Sequence, residues 1–244
     1  MSRYCNFAQL YRTEHALGSG TYGPVDIVAD ISTGCQRVCK RIPKALFGQT
    51  LDFDLVRNYL QNLQLLRHPN ICSMVDYFED NEVFYLLYEK HDGGDLAEFI
   101  ERMTERPNGW ANESCVAMYI RQMLIALCYC HTSKIYHLDL KPSNVAFTSR
   151  QQDAVVKIQD FGLCKIFDPE CSIARSKPTH LMPPEKFSAE PNLNEKTDMY
   201  TIGVLAYFLL VNKPAFPERQ PQELMQSIRS GKLKFMVEEK NKII

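Results

Sequence analysis

The spacing of apolar side chains changes partway along this 244-residue chain. In the first third, β-branched and alternating runs such as VDIVAD (25–30) and RVCKRI (37–42) are separated by glycine-rich turns, which predicts short strands. They precede LVRNYLQNLQLLRHP (55–69), where Leu55, Val56, Leu60, Leu63 and Leu66 recur at helical spacing and predict a helix with one buried face. EVFYLLYE (82–89) predicts another strand, and HDGGD (91–95) then breaks the pattern as a linker would. Beyond Asp95 helical periods dominate, over Leu96 to Glu105, Asn112 to His131, Asp198 to Val211 and Pro221 to Ser230. The expected class is α+β: a small β-rich lobe, a short hinge and a helical lobe.

Composition narrows the function more than the fold. With 45% hydrophobic and 23% charged residues the chain is an ordinary globular one, long enough for two modest lobes. A net charge of −1, with no clustered Lys/Arg run, argues against a nucleic-acid partner. The nine cysteines, at 5, 35, 39, 72, 115, 128, 130, 164 and 171, show no paired CxxC spacing and read as reduced thiols rather than zinc ligands. The start, MSRYCNFAQL, has no apolar signal region and no myristoylation glycine. The longest apolar run, Ile202 to Val211, is too short for a membrane span. A cytoplasmic protein is expected.

Candidate chemistry begins at LGSGTYGPV (17–25), where Gly18, Gly20 and Gly23 stand at GxGxxG spacing between strand-like segments. Glycines let a backbone approach phosphate oxygens, and they serve ordinary hairpin turns equally well. A dinucleotide fold is excluded because a strand, not a helix, follows them. Lys40 ends the second strand-like segment and, alone, means little. The specific signal is HLDLKPSN (137–144), followed sixteen residues after Asn144 by Asp160-Phe161-Gly162. With PPE (183–185) and DMYTIG (198–203) in the same order, the chain resembles the eukaryotic protein kinases over essentially its whole length. The sixteen-residue gap, the HPNI turn and YFED look most like the calcium/calmodulin-dependent and calcium-dependent Ser/Thr kinase group.

That resemblance implies a bilobal protein kinase-like fold. Residues 1–88 would form an antiparallel β N-lobe with one control helix, 89–94 a hinge and 95–244 a C-lobe lacking the family's last helices. The implied activity is transfer of the γ-phosphoryl of ATP, with Mg2+, to Ser/Thr hydroxyls of protein substrates. Asp139 would accept the hydroxyl proton, Lys141 would neutralise the γ-phosphate, and Lys40 would hold the α- and β-phosphates. Asn144 and Asp160 would supply the oxygen ligands that magnesium prefers. Leu17, Gly18, Gly20, Gly23, Val25, Val38 and Ala146 would surround the nucleotide, Glu89 and His91 would present backbone groups to adenine, and Asp95 would bind ribose. Val38 is larger and Ala146 smaller than the family's usual residues, an exchange that conserves volume. No EF-hand loop occurs, so a calcium sensor or calmodulin would have to act from outside this chain.

Several positions depart from the family pattern. Tyr59 stands where a Glu would pair with the strand lysine, and Asp52 and Asp54 lie too far along or around the helix to replace it. Leu138 replaces the Arg that grips a phosphorylated activation loop, which argues against that mode of activation. Lys177-Pro178 replaces the Gly-Thr of the peptide-docking floor. PPE, Asp198 and Tyr200 read as structural anchors, and Leu63, Met74, Phe161 and His137 keep an apolar or aromatic spine. Two functions stay open: a Ser/Thr kinase whose activity is affected by Tyr59, Leu138 and Pro178, or a nucleotide-binding pseudokinase acting as scaffold or allosteric regulator.

Overall fold

In the computed structural model the described residues are 7–47, 52–105, 112–151, 153–167, 178–188 and 191–233. Cys5, Cys171, Lys177 and the last part of the expected C-lobe, residues 234–244, lie outside them. The chain divides into two units, Met1–Asp92 and Gly93–Ile244, with the division inside HDGGD.

In the first unit a short helix α1 (Phe7–Leu10) leads into β1 (Tyr11–Gly20), β2 (Gly23–Asp30) and β3 (Gln36–Pro43). Helix α2 (Phe53–Gln64) then precedes β4 (Met74–Glu79) and β5 (Val83–Tyr88), and the antiparallel sheet has the order β1-β2-β3-β5-β4. Lys40 lies opposite Val25 on one side and Leu86 on the other, and Val38 lies opposite Ile27 and Tyr88. Because strand side chains alternate, Val25, Val38 and Lys40 share one face. The opposite face buries Val28, Cys39 and Leu87 beneath Phe7, Tyr11, Phe78 and Tyr85, with Phe7 stacked on Tyr85 at 4.3 Å between ring centroids.

Asp52 caps α2 by accepting hydrogen bonds from the N–H groups of Asp54 and Leu55 at 2.9 and 3.3 Å. Val56, Leu60 and Leu63 form its buried face. Leu55, expected on that face, is 66% exposed. The reason is angular: at 3.6 residues per turn the three buried residues span roughly 60° of arc, and Leu55 stands roughly 80° beyond it. Leu66 is buried, but past the helix end at Gln64.

The second unit contains α3 (Leu96–Thr104), α4 (Glu113–Thr132), a hairpin of β6 (Val145–Phe147) and β7 (Val156–Ile158), α5 (Leu163–Phe167), α6 (Glu195–Val211) and α7 (Pro221–Ser230). The sequence pattern gave no sign of β6 and β7, since three-residue strands are too short to show an alternation. Helix α6 begins before its predicted start at Asp198, because Asn194 and Thr197 form a reciprocal capping box. It buries Thr197, Asp198 and Thr201 together with Ile202, Leu205 and Leu209. Pro221 in the first turn of α7 and left-handed Gly231 after its last set that helix's limits. Met182, Phe187, Val204, Phe216, Leu224 and Ile228 form a cluster that includes the segment after PPE, and Tyr200 packs against it. Among the described residues no helix is long and apolar enough to cross a membrane.

Candidate functional site

The start of the HLDLKPSN segment is held by one buried carboxylate. Asp198, 1% exposed, accepts the backbone N–H groups of His137 at 2.8 Å and Leu138 at 2.7 Å, and Nε2 of His131 stands 2.8 Å from it. Leu138 needs this support because its φ is +64°, a region that costs a residue with a side chain about 1–3 kcal/mol. Its side chain is buried with Cys164 beside Tyr136 and Leu193, so the position expected to lack a phosphate-gripping cation is here an apolar packing position. The fully buried His137 accepts the Asp139 N–H at Nδ1 (3.3 Å), which leaves Nε2 to donate to the Gln159 carbonyl at 2.8 Å. The Phe161 ring lies 5.0 Å from the imidazole, centroid to centroid.

These bonds bring the predicted polar residues of the second unit together. Lys141 Nζ donates to Asp139 Oδ2 at 2.9 Å. Asn144 donates from Nδ2 to the Asp139 carbonyl at 3.0 Å. With its amide nitrogen committed, the oxygen of Asn144 is the atom left to meet an ion, which suits the oxygen preference of magnesium. The Gln159 N–H donates to the Asn144 carbonyl at 2.8 Å, next to the β6–β7 pair Val145 and Ile158. That bond puts Asn144 and Asp160 at the same end of the hairpin, and Asp160 leaves it with φ +61°. Ala146, in the middle of β6, bridges to Asp95, whose Oδ1 caps α3 by accepting the Glu98 N–H at 2.9 Å. Here the backbone approach is close: a Cβ on Gly93 would lie 2.3 Å from the Phe147 carbonyl oxygen.

In the first unit β1 and β2 turn at Thr21 and Tyr22, with Gly20 opposite Gly23 and Gly18 opposite Val25. Gly18 and Gly23 both have φ +147°. A Cβ on Gly23 would meet the Arg41 carbonyl oxygen at 2.3 Å, so this glycine is required by packing on β3. Nothing lies within 4 Å of a Cβ on Gly18, whose requirement is conformational. Leu17 is 55% exposed, whereas Val25, Val38 and Lys40 are half-buried. Lys40 Nζ stands 5.5 Å from the Tyr88 ring centroid. Tyr59 is half-buried on α2, where Asp52 serves as cap and Asp54 pairs with Arg57 at 2.6 Å.

An ion network that the sequence did not reveal ties α2 to β4. Glu79, 2% exposed, meets Arg57 Nε at 2.5 Å and Lys44 Nζ at 2.7 Å. Lys44, 7% exposed, also donates to the Asp80 carbonyl at 2.6 Å and lies over the Phe53 and Phe84 rings. Burial raises the Glu79 pKa, but the hydrogen bonds from Arg57 and Lys44 outweigh it and hold the carboxyl below the ordinary range. The residues are 22 and 35 positions from Glu79, so only the fold could join them.

Residues 11–243 match the protein kinase domain family. The chain is 32% identical over 228 residues to calcium/calmodulin-dependent protein kinase type 1 of Macrobrachium nipponense, covering 92% of this chain and 63% of that protein. It is 28% identical over 239 residues to calcium-dependent protein kinase 4 of Plasmodium falciparum, covering 97% and 44%. It is 31% identical over 221 residues to serine/threonine-protein kinase ppk25 of Schizosaccharomyces pombe, covering 90% and 50%. The chain thus spans less than two thirds of the length of these relatives.

Proposed function

Because this chain belongs to the protein kinase domain family, we propose that it transfers the γ-phosphoryl of ATP to Ser/Thr hydroxyls of proteins. The observation that carries the reading is the arrangement Asp139–Lys141–Asn144, tied together at 2.9 and 3.0 Å and anchored on Asp198. Phosphoryl transfer asks mainly for positioned charge, and this loop fixes a carboxylate, a cation and an amide oxygen. Asp139 receives the hydroxyl proton, and Lys141 both steers its Oδ2 and offers positive charge to the moving phosphoryl group. Asn144 and Asp160 hold magnesium, which on binding neutralises phosphate charge. Lys40 takes the α- and β-phosphates, and Gly18, Gly20 and Gly23 give the phosphates a close backbone. Leu17, Val25, Val38 and Ala146 pack against the base, while Glu89 and His91 present backbone groups to it. Asp95, with Oδ1 engaged as a cap, offers Oδ2 to ribose. Regulation by a calcium sensor outside the chain is suggested by the names of the relatives.

A specific observation favours a second reading, nucleotide binding without transfer: a tyrosine, Tyr59, occupies the α2 position where the resemblance calls for a carboxylate. Labelled ATP, magnesium and a mixture of basic Ser/Thr peptides separate the two. Transfer that disappears in both Asp139→Asn and Lys40→Met is the expected result. Transfer that survives Asp139→Asn refutes the kinase reading, and thermal stabilisation by nucleotide without transfer supports the second.

A further inference from the structure

Outside the residues given a side-chain role above, one cluster among the described residues has the chemistry of a metal site. The ligand atoms of Cys72, Glu89 and His91 all lie within 4.8 Å of one another. Cys72, 6% exposed, lies in the loop before β4, and Glu89 and His91 follow β5. The sheet brings them together: Met74 pairs with Tyr88, and the ladder continues as the Glu89 N–H donates to the Ser73 carbonyl at 3.2 Å. In return the Ser73 N–H donates to Glu89 Oε1 at 2.8 Å, which fixes the carboxylate. His91, two residues on, brings Nε2 to 3.4 Å from the same oxygen. Cys72 Sγ stands 3.7 Å from the Glu89 carbonyl oxygen, so the thiol faces this segment.

We propose that Cys72, Glu89 and His91 form a zinc-binding site that fastens the segment after β5 to the loop before β4. A thiolate, an imidazole and a carboxylate suit a borderline-soft ion, and the thiolate disfavours magnesium and calcium. An ion centred among donors that all lie within 4.8 Å of one another would stand no more than about 2.8 Å from each, so shifts of at most roughly 0.5–0.8 Å reach zinc bond lengths of about 2.0–2.3 Å. Three protein ligands leave a fourth position for water. On binding, the Cys72 S–H bond breaks, the sulfur lone pair forms the metal–sulfur bond, and the proton passes to solvent. No CxxC pair announces this site, because its thiol and its other two donors are 17 and 19 residues apart and meet only through strand pairing. The inference concerns metal binding alone and does not depend on phosphotransfer.

Metal titration of the full chain, reduced and freed of metal with a chelator, tests it. Cobalt is expected to bind one per chain with a thiolate-to-metal charge-transfer band, and an equivalent of zinc should displace it. Cys72→Ser should abolish the band and weaken zinc by more than about 100-fold, beyond the roughly 10–100-fold that loss of an outer-shell partner costs. Glu89→Gln and His91→Gln should each weaken zinc at least about tenfold while keeping the band at higher cobalt concentration. Cys35→Ser and Cys128→Ser, at exposed thiols, should change neither. If Cys72 only hydrogen-bonds the Glu89 carbonyl, serine preserves that bond and metal affinity is unchanged, which overturns the proposal. So does the absence of one-to-one binding, or loss of binding in the Cys35 or Cys128 variant. Should Cys72→Ser fail to fold, His91→Gln decides, and unchanged affinity there is equally fatal.

Discussion

Glu79→Gln is expected to be the most damaging single-atom-scale change in the first unit. The wild-type carboxylate, 2% exposed, neutralises Lys44, itself 7% exposed, and part of Arg57, whose side chain is 30% exposed. Arg57 keeps Asp54 and some water after the substitution, so the cost falls on Lys44, which retains the Asp80 carbonyl and two aromatic rings but no counter-charge from Glu79. Breaking a buried pair by removing one partner costs about 3–5 kcal/mol. The variant should therefore lose about 3–5 kcal/mol at pH 7, read as a lower urea midpoint by far-UV circular dichroism with an unchanged slope. The Glu79→Gln/Lys44→Met double variant removes both buried charges and should recover most of the loss. The pH dependence has a fixed sign. The folded pKa of Glu79 is depressed, so its stabilisation is complete above the ordinary value of 4.5 and is lost as pH falls through the lower folded value. The difference between wild type and Glu79→Gln should be flat near neutrality and shrink only below about that value. A loss under about 1 kcal/mol at pH 7, or a double variant worse than Glu79→Gln, would falsify Glu79 as the buried counter-charge of Lys44.

Other substitutions probe the rest of the framework. Asp198→Ala deprives the buried His137 and Leu138 N–H groups of their acceptor, at about 1–3 kcal/mol each, and should lower both urea stability and any phosphotransfer. Gly93→Ala puts a Cβ 2.3 Å from the Phe147 carbonyl and should cost about 1–3 kcal/mol. In contrast, Gly203→Ala in α6 has nothing within 4 Å and should stabilise by about 0.5–1 kcal/mol, so equal thermal shifts for the two alanines would contradict the packing described. Tyr59→Glu places on α2 the charged acceptor that the family pattern provides. A charge-assisted bond about twice as strong as a neutral one should orient Lys40 better and raise kcat about tenfold, whereas an unchanged kcat would show that Lys40 is already positioned.

What the sequence determined by itself was part of the order of elements and the protein kinase family. Strands β2, β3 and β5, the helix around Leu60 and Leu63, and α7 between Pro221 and Gly231 were legible because local periodicity and end signals are written in neighbouring residues. HLDLKPSN and Asp160 stand out in the sequence because the family motif has fixed short spacings, and in the structure hydrogen bonds join Asp139 to Lys141 and Asn144. The tertiary structure alone decided which face of α2 is buried, that three-residue strands β6 and β7 align Asn144 with Gln159, and that Leu138 is a packing residue. It also decided that Glu79 neutralises Lys44 and Arg57, and that Cys72 faces Glu89 and His91. These pairings join residues 17 to 35 positions apart, and their energies come from excluding water around charges and donors once strands have paired. That exclusion is a property of the folded surroundings, so no local pattern of residues could have announced it.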